Sequence, residues 1–310
     1  MSAKLKIQPV TPVALLPLVE MAEQLRATLP GYEELATPTG RGERSDFAFD
    51  LAHLAHHDSN GFLIASRNND VLGFAASFVR SRQLLLSHLW LVPDLADRSV
   101  AHALLRHVAA YGARSGVNDL ACHAVAGPLV QAVCFRYGMR PRFPVYRLTL
   151  PKTTALHLGL ELSHLLAGHE LTDEQVTRKA GTGEPERIDR LLRGITRTLD
   201  HEYWLGQRGL RLATVQEGRR ITGYAYGGAG QCGPVAAITT EAAQAALGWA
   251  LRFAAESSES DVTLYVPAVF ESGLETLLEA GADCRAQSLW MSQLPATGME
   301  RYVLASSTLC

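Results

Sequence analysis

Apolar positions along the chain switch repeatedly between a period near two and a period near 3.6, and the switches mark the elements. Residues 4–10 alternate and predict an edge strand; residues 12–26 are apolar at helical spacing behind Thr11, a helix-capping residue type. Residues 29–45 are rich in Gly, Pro and Thr and read as loop, and residues 47–57 read as helix up to Asp58-Ser-Asn-Gly61. Two β-type runs, 61–66 and 71–79, flank the turn Arg67-Asn-Asn-Asp70 and predict a hairpin. A third strand over 84–92 is stopped by Pro93, which has no N–H for a ladder. Helix over 99–113, strand over 119–126, helix over 129–137 with Gly138 just past its end, and strand over 142–150 complete the first half.

The second half repeats this order. A helical stretch over 184–204 precedes strands at 209–216 and 221–226, which flank Glu217-Gly-Arg-Arg220. Strand at 234–238, a helix from a Thr240 cap to 257, strand at 261–266, helix at 272–280 ended by Gly281, and strand at 284–293 follow, and residues 301–306 close the chain. The anchors correspond: each hairpin carries a glycine on its second strand (Gly73, Gly223), and Asp119 precedes Gly138 by 19 residues where Asp261 precedes Gly281 by 20. Two copies of one α/β unit account for this. The expected organisation is residues 1–150, a connector at 151–173 that is helical over 156–166, and residues 174–310.

Composition adds exclusions. With 47% hydrophobic and 19% charged residues the chain can bury a core and is not a disordered protein. No apolar run approaches the roughly 18 residues of a membrane span, and a net charge of −2 argues against a general nucleic-acid or membrane-surface binder. The opening Met1 to Gln8 lacks the apolar core of a secretory leader. The five cysteines (Cys122, Cys134, Cys232, Cys284, Cys310) form no C-x-x-C pair, so neither a disulfide framework nor a zinc site is indicated. A cytoplasmic location is the expectation, for a monomer or a homodimer.

The order of hairpin, strand ending in Val-x-Pro, long helix, strand, short helix ending in Gly, and last strand resembles the GNAT superfamily of N-acetyltransferases, here as a tandem pair. The resemblance rests on Leu89-Trp-Leu-Val-Pro93 with Ala103-Leu-Leu105, and on Cys134-Phe-Arg-Tyr-Gly-Met-Arg-Pro141. In the second half Arg193-Gly-x-x-Arg197-x-x-Asp200-His201, Gly223-Tyr-Ala-Tyr226, Gly233-Pro-Val-Ala236 and the tail from Arg301-Tyr302 resemble a bacterial two-domain subgroup. The fold implied is α/β (α+β): two tandem GNAT-like acyl-CoA N-acyltransferase domains, each a mixed, mostly antiparallel sheet flanked by helices. The function implied is transfer of an acetyl group from acetyl-CoA to the amine of a small molecule or peptide, with no metal. Fold does not fix function, however, and two alternatives stay open: a catalytically degenerate ligand-binding or interaction protein, and transfer of another acyl group.

In the family, a loop R/Q-x-x-G-x-G/A after the Val-x-Pro strand presents backbone N–H groups and a helix N-terminus to the pyrophosphate of coenzyme A. The corresponding residues are Leu91 and Val92, then Ala96, Asp97, Arg98, Ser99, Val100, Ala101 and His102. Ala101 fits the pattern. Ser99 stands for a glycine, Ala96 for Arg or Gln, and Asp97 adds a negative charge that Arg98 and His102 partly offset. In the second copy Ile238 lies only 23 residues before Asp261, against 27 from Val92 to Asp119, and the shortfall falls at this loop. Glu241 there supplies negative charge to the helix start itself. Any acetyl-CoA site is therefore expected in the first half.

Strand alternation puts His88 on the face of Trp90 and Val92, four residues before the Val of Val-x-Pro, where some GNAT members place a base-like histidine. The family's thiolate-protonating tyrosine corresponds to Cys134, with Tyr137 or a water as substitute acid; Cys134 itself reads more readily as a small buried residue than as a nucleophile. His53, His56, His57 and Asp58 invite a metal reading, though a polar helix end explains them better. Arg193, Arg197, Asp200 and His201 share a helix and read either as a solvated face or as part of a substrate cleft or domain junction.

Overall fold

The computed structural model describes residues 4–27, 41–92, 98–125, 128–178 and 183–310. Two compact units emerge, Met1–Arg142 with Ser288–Pro295, and Phe143–Gln287 with Ala296–Cys310.

The first unit begins with β1 (Lys6–Pro9), α1 (Pro12–Ala27) and α2 (Arg41–His57), so residues 41–45, expected in a loop, are helical. The hairpin β2 (Phe62–Arg67) and β3 (Asp70–Arg80) follows, then β4 (Gln83–Leu91), α3 (Arg98–Arg114), β5 (Asp119–Val125), α4 (Pro128–Arg136) and β6 (Arg140–Leu150). The strands lie in the order β1-β2-β3-β4-β5, and residues 288–292 pair antiparallel with β5 on its far side. Leu84, Leu86 and Leu89 of β4 share a core with Val100, Leu104 and Val108 of α3 and with Met291.

The second unit contains α5 (Lys152–Ser163), β7 (Ala167–Leu171), α6 (Asp173–Arg178), α7 (Gly183–Arg193), α8 (Thr198–Gly206), β8 (Arg211–Glu217), β9 (Arg220–Gly228), β10 (Gln231–Ala237) and α9 (Thr240–Glu256). It continues with β11 (Val262–Pro267), α10 (Glu271–Glu279), β12 (Asp283–Ser292) and the short β13 (Tyr302–Val303). The fold is mixed α/β with mostly antiparallel strands, and the repeat extends to register. Gly73 pairs with Ala65 and Gly223 with Val215, and each hairpin shifts register at that point. A side chain at Gly73 would strike the Trp90 carbonyl, and Gly138 and Gly281 both end their helices with positive φ (80° and 89°).

Four sequence expectations need correction. The boundary expected at residue 150 lies instead within β6, because residues 145–150 pair with β11, and the first unit's sheet is completed by residues 288–292 of β12. The connector is part of the second unit: α5 packs on α9, and β7 pairs with β8 as β1 pairs with β2. The continuous helix over 184–204 is broken at Gly194, whose φ of 68° ends α7. The cap of α9 is Thr239 rather than Thr240; its side chain accepts from the Ala242 N–H at 3.2 Å.

The α5–α9 contact depends on glycine. A Cβ on Gly248 would collide with the backbone of Leu162 and Ser163, and one on Gly159 would come within 2.9 Å of the Gly248 carbonyl oxygen. Gly248→Val should therefore destabilise the protein by about 1–3 kcal/mol, the usual effect of overpacking a core, seen as a lower urea midpoint. An unchanged midpoint would show that the helices separate without cost.

Candidate functional site

A parallel pair with a crossover helix places the helix N-terminus at the C-terminal ends of its strands. In the first unit that pair is β4 and β5. They are registered only from Gln83↔Asp119 to Leu86↔Cys122. Beyond that point β4 keeps to β3, and β5 continues along residues 288–292, its partner on the other edge from Ala121 onwards. The divergence has a local cause. Leu86 pairs with Ser77 but His88 with Ala76, so Ser87 is an extra residue, a bulge that bends β4. A wedge opens between the strands. Among the described residues no strand pairs with β4 on that side beyond Leu86.

The two faces of the wedge differ. One carries α3 and α4. There Arg98 and Ser99 are exposed at the start of α3, Val100 and Ala101 are buried, and His102 is half-buried. The first turn of α3 holds no acidic side chain; Asp97 and Ala96 lie outside the described residues. Leu91 and Val92 are half-buried at the end of β4, and the Val92 N–H donates to the Leu72 carbonyl at 3.0 Å. The Tyr137 hydroxyl lies 3.5 Å from the His102 carbonyl. Burial pushes its phenol above the ordinary tyrosine range, with Arg106 opposing, so it is protonated at neutral pH. Cys134 is fully buried with its Sγ 3.5 Å from Cys122.

The other face carries His88, almost fully buried, its ring edge-on to Phe47 of α2 at 5.4 Å and 6.1 Å from Trp90, which stacks on Phe74. The structure thus brings His102 and Tyr137 together and sets His88 apart from them, through the sheet. It adds a histidine not singled out from the sequence. His123 is the first residue of β5 past its pairing with β4; its Nε2 hydrogen-bonds Ser288 Oγ, and both are buried. Alternation along the predicted strand puts His123 opposite in facing to Cys122, but its partner arrives 165 positions later through β12.

The second unit has the same wedge, and it is filled. β10 and β11 are parallel only at Gln231↔Thr263 and Cys232↔Leu264, and β10 then shifts register past the cis Gly233–Pro234 bond. Into the gap comes β13: Val303 and Tyr302 pair with Val235 and Ala236, and Leu304 bridges to Tyr265. Gly233 is required here, since a Cβ would sit 2.5 Å from the Leu304 carbonyl oxygen. At the start of α9, Thr239 also donates to Glu217 at 2.6 Å, and Glu241 occupies the first turn.

This inserted segment explains the second-half motif. Arg197, fully buried, donates to Asp200 (2.9 Å), to the Tyr302 hydroxyl (3.0 Å) and to the Leu309 carbonyl (3.3 Å). Arg193 lies over the Tyr302 ring at 4.8 Å. His201 bridges Asp189 (3.1 Å) and the Tyr226 hydroxyl (3.0 Å), and Tyr224 donates to the other Asp189 oxygen (2.7 Å). Burial would lower the Arg197 pKa, but Tyr302, Asp200 and Asp189 raise it well above normal; burial first and Asp189 next raise both tyrosines. Arg197, Asp200 and His201 are fully buried rather than on a solvated face, and Arg197 reaches residues 302 and 309 directly.

The polar helix end at residues 53–58 also has a structural use. Asp58 accepts from Arg80 (3.0 Å), the Val79 N–H (3.0 Å) and the Tyr111 hydroxyl (3.1 Å), and burial with Asp58 pushes the Tyr111 phenol up to about 12. Among the described residues no group of three His, Cys, Asp or Glu side chains is placed to hold a metal ion, and no helix is long and apolar enough to cross a membrane.

A wedge between two parallel strands, reached by the exposed start of a crossover helix, is the candidate site of the first unit. Residues 28–133 match the family model described as the Acetyltransferase (GNAT) family. A putative acetyltransferase from Pyrococcus horikoshii is similar in structure, with a TM-score of 0.73 at 14% identity over 99% of this chain and 96% of its own. So are a GCN5-related N-acetyltransferase from Sphaerobacter thermophilus (0.56, 12% identity, 98% of each chain) and a tandem GNAT protein from the clavulanic acid biosynthesis pathway (0.54, 13% identity, 93% of this chain and 98% of its own). No curated protein sequence matches. The family match thus lies within residues 28–133, and the similarity to solved structures shows a shared fold across nearly the whole chain.

Replacing Arg197 tests the anchor. Arg197→Ala leaves Asp200 buried without its cation, and removal of one partner from a buried pair typically costs about 3–5 kcal/mol. The urea midpoint should fall, and amides of residues 302–304 should exchange faster than those of β9. A variant as stable as the parent, with those amides still protected, would refute the anchoring role.

Proposed function

We propose that the first unit transfers an acyl group, acetyl foremost, from acyl-CoA to an amine on a small molecule or peptide. One observation carries this reading: the wedge of the first unit has no strand in it among the described residues, whereas that of the second is filled by β13. The residues at the first wedge fit the cosubstrate. Arg98 and Ser99 are exposed at the start of α3, no acid stands in its first turn, and the small Ala101 is buried. The backbone N–H groups of residues 98–102 then face a pyrophosphate, favoured there by the helix dipole. Coenzyme A supplies the activated thioester.

The chemistry divides between the two faces. Acyl transfer to an amine needs a proton removed from the nucleophile and one returned to the departing thiolate. His88, on the face away from α3, is the base on the amine side, directly or through water. Tyr137, on the α3–α4 side and kept protonated by its raised pKa, is the acid on the thiol side. Cys134 stands where the family's tyrosine would be and is too buried to replace it. That departure favours a second reading, a GNAT fold that binds the cosubstrate without turning it over.

Calorimetry with acetyl-CoA should give one equivalent per chain, in the first unit, and a rise in melting temperature. Ser99→Glu should abolish both by placing negative charge at the pyrophosphate. Two equivalents, or binding unaffected by Ser99→Glu, would overturn the assignment. A screen of small amines with thiol detection then separates the readings: with turnover, His88→Ala should lower kcat by roughly 10²–10⁴-fold, the usual weight of a general base. Binding without turnover on any amine would favour the second reading.

A further inference from the structure

The two helices on the α3–α4 side of the first unit carry charge of one sign only. Together they hold Arg98, Arg106, Arg114 and Arg136 and no acidic residue, and Arg140 opens β6 directly afterwards. The corresponding helices of the second unit, α9 and α10, hold five glutamates and one arginine, and that arginine, Arg252, is paired with Glu256 at 2.7 Å. Arg98, Arg106, Arg136 and Arg140 are exposed, and among the described residues none of them pairs with a carboxylate. The basic positions surround Tyr137. Its hydroxyl lies 3.5 Å from the His102 carbonyl, Arg106 is near enough to oppose the rise in its pKa, and Arg136 precedes it in the chain. Beside them the guanidinium of Arg140 stands 5.5 Å over the ring of Phe135, an aromatic residue that is 42% exposed.

We propose that this basic face docks an acidic protein that carries its acyl group on a phosphopantetheine arm, giving the first unit a macromolecular donor beside acyl-CoA. That donor role rests on the acyl-CoA reading of the wedge. The arm ends in the same thioester as coenzyme A, so a wedge that takes one takes the other. The face adjoins the exposed start of α3, on the opposite side of the sheet from His88 and the amine, so its charge bears on the donor and not on the acceptor. The phosphates of coenzyme A account for positive charge at residues 98–102. Arg106 lies eight residues further along α3, about 12 Å along its axis, and Arg136 and Arg140 stand on other elements, which suits a broader anionic surface. An exposed aromatic side chain among arginines is the composition of a protein-docking patch, and opposite charge on the partner speeds encounter. In the transfer the amine nitrogen attacks the carrier's thioester carbonyl. A C–N bond forms, the C–S bond breaks, and the proton lost by the amine is balanced by the one taken up by the carrier's thiolate.

The test titrates the full chain with a free-standing acidic acyl carrier protein bearing its phosphopantetheine arm, at low and high salt, and in parallel with acetyl-CoA. The carrier should bind, and more weakly as salt screens the charges. Arg136→Glu with Arg140→Glu should weaken the carrier by about tenfold or more, the scale of electrostatic steering, and leave acetyl-CoA binding within about twofold. Arg136→Glu alone, at an exposed side chain with no hydrogen-bond partner among the described residues, should give a partial loss and shows that the effect is not one of misfolding. With an amine substrate in hand, the same variants should lower kcat/KM for acetyl-carrier and not for acetyl-CoA. Absence of carrier binding, or binding indifferent to both variants, overturns the docking face. Equal weakening of acetyl-CoA overturns it too, and gives the arginines to the cosubstrate's own phosphates. Tighter binding of duplex DNA, of RNA or of phosphatidylglycerol vesicles, lost in the same variants, overturns the class of partner. Carrier binding that the variants abolish, with no transfer from either donor, supports the docking face and counts against the transferase reading alone.

Discussion

The structure depends on where a pair of parallel strands stops pairing. A parallel ladder that ends after four registers leaves backbone donors and acceptors on two diverging strands, and those groups need partners. In the first unit β5 pairs with residues 288–292 on its far edge and β4 with β3 on its own far edge, so among the described residues no strand covers the two edges that face the wedge. In the second the gap is closed by Tyr302, Val303 and Leu304. One geometry is thus filled by the chain itself in the second copy, and in the first it is the place proposed for the cosubstrate.

The fate of each wedge is written into the residues around it. Where the chain fills the gap, a fully buried arginine holds Tyr302 and the Leu309 carbonyl, and Thr239 caps the helix start with Glu241 in its first turn. Where no strand fills it, the corresponding helix begins with exposed Arg98 and Ser99 and no acid. A buried charge pair costs desolvation energy and is kept where it fixes one arrangement among several; here it holds a strand of two residues that would not stay paired unaided.

The repeat was legible because its punctuation is chemical. Gly73 and Gly223, Gly138 and Gly281 occupy backbone positions that only glycine fills easily, and their spacing along the chain is enough to align the two copies. The common face of His88 and Trp90 follows from strand alternation, whereas the bulge at Ser87 has no alternating signature. What escaped has physical reasons too. β7 is five residues, mostly exposed, without an alternating pattern. The exchange of residues 288–292 into the first unit is a long-range pairing with no local signature, so neither Ser288 as partner of His123 nor the true boundary could be read. Arg197 resembled a surface charge because its partners, Tyr302 and Leu309, lie more than 100 positions away.

Hydrogen exchange with and without acetyl-CoA tests the central claim, that the two copies assign one wedge to a ligand and the other to the chain. Added acetyl-CoA should slow exchange in residues 88–92, 98–105 and 134–139 and leave residues 231–237, 240–244 and 302–304 as they were. New protection along β10 and the start of α9, with none at the start of α3, would contradict it.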